Sequence, residues 1–241
     1  IQVTSAGLDQ ILVPELVKRD LLISNASGVY APQVAEQAWC LTLAIAGRVP
    51  HYCEQQKQPT WQAVDRIDLD GSTVGVIGLG GIGRRYARVA AAFGMRVLAV
   101  DLHQPPKPES VAALWSIDKI DQLLEQSDFV LVSCPYTSET HHLINADRFS
   151  HMKSSAVLVN IARGSIVDEP ALIEALQGGR IAAAGIDVCE QEPLPSESNL
   201  WDVPNLVISP LGAGLSPQRM KHMAMFFIDN LGRFIAGQPL V

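Results

Sequence analysis

A cluster of four glycines constrains this chain more than any other feature. The residues Gly78-Leu79-Gly80-Gly81-Ile82-Gly83 follow an apolar, β-branched run over Thr73–Ile77 and precede an apolar helical pattern over Ile82–Phe93. A G-x-G-x-x-G sequence between a strand and a helix is typical of a loop that holds the pyrophosphate of a dinucleotide. The first glycine allows the tight turn, the second lets the backbone approach the phosphates, and the third lets the helix pack on the strand. Because the helix start also offers unpaired N–H groups, we predict that the cofactor is bound by Gly78, Gly80, Gly81, Ile82 and Gly83.

An acidic residue ends the next predicted strand. Seventeen residues separate Gly83 from Asp101, which follows the apolar run Arg96–Val100. A carboxylate at this place accepts hydrogen bonds from ribose hydroxyls and repels a 2′-phosphate. The sequence therefore predicts NAD rather than NADP as the cofactor. The neighbouring Arg84 and Arg85 either add positive charge near the phosphates or lie solvated on the helix surface.

Short apolar runs alternate with helical patterns along the whole chain, as expected for β-α units stacked on a parallel sheet. Of the 241 residues, 48% are hydrophobic and 18% are charged, so the chain can bury a substantial core. We predict later strands at Phe129–Val132, Ala156–Asn160, Ala183–Val188 and Leu206–Ile208. Helices are predicted at Asp118–Gln126, Ala146–Met152, Glu169–Gln177 and Pro217–Ala236.

The first fifty residues are predicted to hold two strands and two helices. Ile1–Ser5 and Leu21–Ile23 have strand patterns, and Asp9 is expected to cap a helix between them. A longer helix is predicted over Ala31–Ile45, with Pro50 ending or kinking it.

Charge and apolar patterning exclude several classes of partner. The formal net charge is −7 and no basic run is present, so we expect no nucleic acid. The longest apolar stretches are too short to cross a membrane. The four cysteines lie far apart without a CxxC pair, which fits free thiols in a reducing, cytoplasmic compartment. No spacing of His, Cys or acidic residues predicts a metal site.

Further segments follow one another in a recognisable order. They are Asn25-Ala26-Ser27-Gly28, Val34-Ala35-Glu36, Ser127-Asp128-Phe129-Val130, Cys134-Pro135, Asn160-Ile161-Ala162-Arg163-Gly164, Ala184-Gly185-Ile186-Asp187-Val188 and Glu192-Pro193-Leu194. Together with the glycine loop, they closely resemble the D-isomer-specific 2-hydroxyacid dehydrogenases over essentially the whole chain. The resemblance implies an α/β fold, a Rossmann-like doubly wound parallel sheet with the remnant of a second, smaller flavodoxin-like substrate domain. It assigns residues 36–213 to the NAD-binding domain and residues 1–35 and 214–241 to a partial substrate domain. The family's first segment, which normally supplies much of the substrate domain, has no counterpart in this sequence.

The resemblance also implies roles for individual residues. Arg163 falls on the arginine that holds the substrate carboxylate through a two-pronged contact and polarises the reacting carbonyl. Ala6 and Gly7 match the loop whose backbone N–H groups receive the same carboxylate. The positions that line the cofactor, including its nicotinamide end, fall on Cys134, Pro135, Thr140, Ile161, Ala162 and Asp187.

One position departs from the family pattern. Glu192 matches the carboxylate that orients a histidine acid/base, but Leu211 occupies the position after Pro210 where that histidine is expected. A positioned acid/base contributes about 10²–10⁴ in rate, so its loss should cripple turnover and leave cofactor binding intact. None of the six histidines has a spacing that marks it as the replacement. Glu192, expected to be half-buried, either relays a proton through water or pairs with Arg163 or solvent.

Two functions are compatible with these observations. The first is an NAD-dependent oxidoreductase that transfers a hydride between nicotinamide and a small 2-hydroxy or 2-oxo acid. The second is an NAD-binding family member that has lost catalysis and acts as a sensor or scaffold. The resemblance also implies a homodimer, with the helix Ala31–Ile45 as a contact element.

Overall fold

A seven-stranded sheet, parallel throughout, lies at the centre of the computed structural model, which describes residues 1–9 and 11–241. The strands are β1 (Thr73–Ile77), β2 (Arg96–Val100), β3 (Ala113–Trp115), β4 (Phe129–Val132), β5 (Val157–Asn160), β6 (Ala183–Ile186) and β7 (Leu206–Ile208). Their order across the sheet is β3-β2-β1-β4-β5-β6-β7. This order reverses direction between β1 and β4, which is where open parallel sheets bind ligands outside the carboxyl ends of the strands. The predicted Rossmann-like fold is confirmed.

Helices cover both faces of the sheet. They are α1 (Pro14–Val17), α2 (Ala31–Ala46), α3 (Val49–Lys57), α4 (Gly81–Ala92), α5 (Ile120–Gln126), α6 (Ala146–His151), α7 (Glu169–Gln177) and α8 (Arg219–Ile235). One apolar core packs α5, α6 and α7 on the sheet, and a second packs α2 and α4 on the opposite face. Because both faces are covered, the strands read as nearly continuous apolar runs rather than alternating ones. None of the helices in the described part of the chain is both long and apolar enough to cross a lipid bilayer.

Steric fit explains why glycines connect β1 to α4. Gly78 has a φ of +92°, a backbone conformation that residues with a side chain rarely adopt. A Cβ atom on Gly78 would also lie 2.6 Å from the backbone nitrogen of Cys134, at the end of β4. A Cβ atom on Gly83 would overlap the carbonyl oxygen of Gly78. The chain can therefore turn from strand to helix and still pack against β4 only with glycine at these two positions.

The amino-terminal predictions were wrong in three respects. Ile1–Ser5 and Leu21–Ile23 form no strands, and only an isolated parallel bridge pairs Gln2 with Ser24. Among the described residues Asp9 caps no helix, because α1 begins only at Pro14 and has Val13 as its N-cap. The long helix ends at Ala46, so Pro50 lies outside it. Pro50 occupies the first turn of α3, where a missing N–H costs nothing.

One strand was not predicted. Residues Ala113–Trp115 add β3 to the edge of the sheet beside β2. The strand is short and only half-buried, and it follows a proline-rich stretch that has the sequence pattern of a loop. A three-residue edge strand carries too few residues for a periodic signal.

Candidate functional site

The glycine loop presents an open backbone at the carboxyl end of β1. Gly80 is the N-cap of α4, and a Cβ atom built on it meets nothing within 4 Å. The N–H groups of Gly81, Ile82 and Gly83 form the first turn of α4, where no preceding helical carbonyl is available to accept from them. They carry the partial positive charge of the helix start. The loop thus offers N–H donors and open space at Gly80 to an anionic group.

Asp101 fixes the same loop from the end of β2. Its Oδ2 accepts a hydrogen bond from the backbone N–H of Leu79 at 2.7 Å, and its Oδ1 accepts from the N–H of His103 at 2.9 Å. A carboxylate oxygen accepts more than one hydrogen bond, so both oxygens keep acceptor capacity for ribose hydroxyls. The guanidinium of Arg84 donates to the carbonyl oxygens of Leu79, in the loop, and of Pro106. Its role is to join the loop to the segment after β2.

The end of β4 forms the opposite wall of this crevice. Cys134 lies against Gly78, and burial, followed by the negative charge of Asp101, raises the pKa of its thiol to about 12. The side chain is therefore a neutral, apolar wall rather than a nucleophile. Pro135 and Thr140 belong to one tight turn, in which the hydroxyl of Thr140 donates to the carbonyl of Pro135 at 2.9 Å.

A hydrogen-bonded turn follows β5. The side chain of Asn160 donates to the carbonyl of Arg163 at 3.0 Å and accepts from the N–H of Ala162 at 3.1 Å. The turn holds the backbone of Ile161 and Ala162 and projects Arg163 from the carboxyl end of the strand. The motif Asn-x-x-Arg-Gly is thus a structural unit that places an arginine.

Arg163, Gly7 and Asp9 meet, although they are far apart in sequence. The Nε of Arg163 donates to both carboxylate oxygens of Asp9, each at 3.3 Å. A Cβ atom on Gly7 would overlap the Nη2 of Arg163, so the glycine lets the guanidinium lie against the loop. Within the described residues, the N–H groups of Ala6 and Gly7 make no hydrogen bond. Two of the predicted substrate-site residues, Arg163 and Gly7, are brought together, and the pairing of Asp9 with Arg163 was not predicted from the sequence.

Asp187 organises the segment that bears Leu211. It is 2% exposed, and its carboxylate accepts from the hydroxyl of Ser209 at 2.5 Å and from the N–H groups of Gly212 and Ala213 at 3.0 and 2.9 Å. The loop 209–213 is therefore wrapped around one buried carboxylate. Leu211 at its centre has a φ of +52° and is 53% exposed.

Glu192 differs from its predicted environment. It is exposed rather than half-buried, and its Oε1 accepts from the backbone N–H of Cys189 at 3.1 Å. It makes no ion pair with Arg163, whose partner in the described chain is Asp9. Four of the histidines have different environments. His142 pairs with Glu190 at 2.9 Å, whereas His103, His141 and His222 are exposed.

Known proteins resemble this chain closely. A family model described as the NAD-binding domain of D-isomer specific 2-hydroxyacid dehydrogenase matches residues 39–213. The glyoxylate/hydroxypyruvate reductase B of Escherichia fergusonii is 40% identical over 233 residues, which cover 94% of the chain and 72% of that protein.

Solved structures agree with this match. A D-isomer specific 2-hydroxyacid dehydrogenase family protein from Aeromonas salmonicida superposes with a TM-score of 0.90 at 37% identity, over 99% of this chain and 76% of its own. A D-isomer specific 2-hydroxyacid dehydrogenase from Xanthobacter autotrophicus, in complex with NADPH and MES, superposes with a TM-score of 0.88 at 32% identity, over 100% of this chain and 75% of its own. The chain belongs to the D-isomer specific 2-hydroxyacid dehydrogenase family, whose members are nicotinamide-binding oxidoreductases of 2-hydroxy acids.

Proposed function

We propose that this protein binds NAD(H) and transfers a hydride between its nicotinamide and a small 2-hydroxy or 2-oxo acid. The observation that carries the proposal is the open backbone at Gly80, with Asp101 on one side and Arg163 at the end of a nearby strand. Bound NAD(H) supplies the hydride acceptor or donor, and this chain supplies the binding groups.

Binding of the diphosphate rests on the first turn of α4. Its N–H groups and the helix dipole face the space above Gly80, where an anion is favoured. Asp101 holds the loop in shape through Leu79 and accepts from the ribose hydroxyls. Cys134 and Pro135 close the crevice from the side of β4.

Preference for NAD(H) over NADP(H) follows from the charge of Asp101. A 2′-phosphate on the same ribose would place negative charge beside this carboxylate. The relative solved with NADPH shows that the family also includes members that bind the phosphorylated cofactor. The Kd of NADH and the Kd of NADPH, measured in wild type and in Asp101→Asn, test this preference. The asparagine side chain keeps an acceptor for the N–H of Leu79. In the variant, the Kd of NADPH and the Kd of NADH should differ less than they do in wild type.

We propose that the substrate carboxylate binds to Arg163. Its guanidinium lies against Gly7, and the N–H groups of Ala6 and Gly7 make no hydrogen bond to any residue that the structure describes. The guanidinium and these N–H groups are donors that suit a carboxylate. The 2-oxo group next to that carboxylate is then polarised by the same positive charge. The glyoxylate/hydroxypyruvate reductase among the relatives acts on acids of this size, which supports a substrate with two or three carbons.

Proton transfer is the weak step of this site. Reduction of a 2-oxo acid leaves an alkoxide that requires a proton, and the leucine side chain at position 211 supplies none. We infer that turnover is slow, with water or Glu192 acting through water as the donor. The proposal is tested with glyoxylate, hydroxypyruvate and related acids as substrates. Turnover is measured as the loss of NADH absorbance at 340 nm. If the protein binds NADH but turns over none of these acids, the alternative function, a cofactor-binding sensor or scaffold, is favoured. The observation that supports this alternative is Leu211.

A homodimer through the face of α2 and α3 is the proposed assembly. One face of α2 is buried on the sheet, while Leu43, Val49 and Trp61 are exposed on or beside the two helices. Trp61 is 103% exposed, an environment that a tryptophan rarely occupies without a partner. Light scattering after gel filtration tests the assembly, and Trp61→Ala should shift it toward a monomer.

The proposed division into two domains places both chain ends in one unit. The side-chain nitrogen of Asn230 donates to Gln2 at 2.8 Å and to the carbonyl of Val241 at 2.9 Å. Asn230 is among the few buried residues of α8. These bonds support a unit formed by residues 1–35 and 214–241, separate from the nucleotide domain at 36–213. Limited proteolysis should cut near residue 214 before it cuts within the sheet, because the other boundary lies inside α2.

A further inference from the structure

An ion pair joins the amino-terminal loop to the arginine of the proposed substrate site. Both carboxylate oxygens of Asp9 lie 3.3 Å from the Nε of Arg163, and 154 residues separate the two in sequence. The side chains are 22% and 38% exposed, respectively. An ion pair with this much solvent access adds little to the stability of a fold. Its consequence lies in the orientation of the guanidinium.

The contacts of Arg163 fix one edge of the guanidinium and leave its end available. The Nε is bound to Asp9, and one hydrogen of Nη1 is donated to the carbonyl of Ala162 at 2.8 Å. A guanidinium has five N–H groups, so five less these two leaves three within the part of the chain that the structure describes. They lie on Nη1 and Nη2, and Nη2 is the atom that rests against Gly7. Nη2 therefore lies at the loop of Ala6 and Gly7, whose N–H groups make no hydrogen bond to any described residue.

We propose that Asp9 is a positioning residue that holds Arg163 by its Nε edge, so that the Nη1–Nη2 end is presented to the substrate carboxylate. The inference rests on the proposed function and adds a residue to it. An arginine side chain has several rotatable bonds, and a carboxylate that binds one edge removes much of this freedom before the substrate arrives. Asp9 is not a catalytic residue, since it acts through Arg163.

The position of Asp9 also separates two possible effects of its charge. If orientation dominates, loss of the acceptor at Nε should weaken binding of a carboxylate, because Arg163 becomes mobile. If charge dominates, loss of the negative charge should strengthen binding, because Arg163 is then uncompensated. Asp9→Asn keeps an oxygen acceptor and removes the charge, whereas Asp9→Ala removes both.

Binding of oxamate to the NADH complex provides the test. Oxamate carries the carboxylate of a 2-oxo acid and an unreactive amide, and its Kd is obtained from the change in NADH fluorescence. For Asp9→Ala we expect a Kd about tenfold higher than that of wild type, which corresponds to about 1.4 kcal/mol. The Kd of NADH itself and the melting temperature should stay unchanged. Asp9→Asn should bind oxamate as tightly as wild type or more tightly, which is rescue by an isosteric acceptor.

A spectroscopic readout reports the ion pair without any ligand. The Nε–H resonance of Arg163, identified by its loss in Arg163→Lys, should be protected from solvent exchange in wild type and in Asp9→Asn but not in Asp9→Ala. Asp20→Asn is the matched control, because Asp20 is an exposed acidic residue in the same amino-terminal region. It should change neither the resonance nor the Kd of oxamate.

The binding results distinguish failure of the positioning role from failure of the proposed function. Equal or tighter oxamate binding in Asp9→Ala would overturn the positioning role while leaving the proposed function intact. Wild-type protein that binds NADH but not oxamate would overturn both the positioning role and the substrate half of the proposed function. Wild-type protein that binds neither would overturn the proposed function as a whole.

Discussion

The backbone N–H of Leu211 donates to the carbonyl oxygen of Asp187 at 2.9 Å, while the carboxylate of Asp187 accepts from the two residues that follow Leu211. One buried residue thus holds the loop from both sides and forces Leu211 into a left-handed backbone conformation. The family resemblance places a histidine at this position. Histidine tolerates such a conformation better than leucine does, so the local backbone would accept a histidine at this position.

Leu211→His is therefore expected to restore the acid/base without disturbing the fold. The side chain is 53% exposed, so the change buries no polar group. We predict a gain in kcat/KM of about 10²–10⁴ for the best acid of the panel, the usual contribution of a positioned acid/base. The Kd of NADH should not change, because the glycine loop follows β1 and Leu211 follows β7.

Steady-state kinetics as a function of pH check this result. The kcat/KM of Leu211→His should depend on an ionisation of the introduced side chain that wild type does not have. Leu211→Gln is the matched control, with a polar side chain that does not titrate. Equal activity in wild type and Leu211→His would reject the assignment of this position and point to another proton donor. Activity in the variant alone would identify the natural protein as a binder.

Backbone strain at Leu211 makes a separate prediction about stability. A β-branched side chain is disfavoured at a φ of +52°, whereas asparagine is tolerated there. Leu211→Ile should consequently be less stable than Leu211→Asn by about 1–2 kcal/mol. Urea denaturation measures the difference. The same pair of changes at Leu215, which is 67% exposed and not at positive φ, serves as the control. A difference of the same size at both positions would contradict the strain argument.

Glu169 predicts a pH dependence of stability. Burial is the main cause that raises the pKa of its carboxyl above 4.5, and the negative charges of Glu190 and Glu192 act in the same direction. The folded state therefore holds this proton more tightly than the unfolded state. The stability that Glu169 contributes is present below about pH 4.5 and is lost as the pH rises through the raised pKa.

Glu169→Gln should remove this loss, because the amide oxygen still accepts from the N–H of Glu190 and carries no charge. The variant is expected to match wild type in melting temperature at pH 4 and to exceed it at pH 7. Glu174→Gln, an exposed change on the same helix, should show no such divergence. A variant that gains relative stability at acid pH instead would show that the sign is wrong.

Thiol chemistry provides a test of the crevice wall. The pKa of Cys134 is raised to about 12 and that of Cys189 to about 11, in both cases chiefly by burial. At pH 8 neither thiol is appreciably ionised, so alkylation of Cys134 by iodoacetamide should be about 100-fold slower than that of an exposed thiol. Cys53 is exposed and acts as the internal reference. Peptide mass spectrometry reads the sites, and rapid labelling of Cys134 in folded protein would contradict the environment assigned to it.

The sequence predicted most of the sheet because the core strands carry dense apolar patterns. The runs Thr73–Ile77 and Phe129–Val132 became strands with the predicted bounds, since burial on both faces leaves little room for polar residues. The glycine loop was predictable for a different reason. Its glycines are required by local geometry, so the motif and its mechanical role are visible within six residues.

Contacts between distant segments were not predictable in this way. Asp9 resembled a helix cap by local pattern, and its pairing with Arg163 depends on how the loop returns over the end of β5. The exposure of Glu192 and the left-handed conformation of Leu211 depend likewise on hydrogen bonds made by Cys189 and Asp187. Such features belong to tertiary structure, and no local spacing encodes them.

Calorimetric titration of NADH into wild-type protein and Gly80→Ala tests the central claim most directly. An added methyl group at Gly80 meets no protein atom within 4 Å, so the fold should tolerate it, but it occupies the space assigned to the diphosphate. We predict that wild type binds NADH and that Gly80→Ala binds it at least about tenfold more weakly at an unchanged melting temperature. Gly232→Ala, also in open space but on α8, should bind NADH as wild type does. Equal binding by wild type and Gly80→Ala, or no binding by wild type at millimolar NADH, would contradict the claim that this loop holds the cofactor.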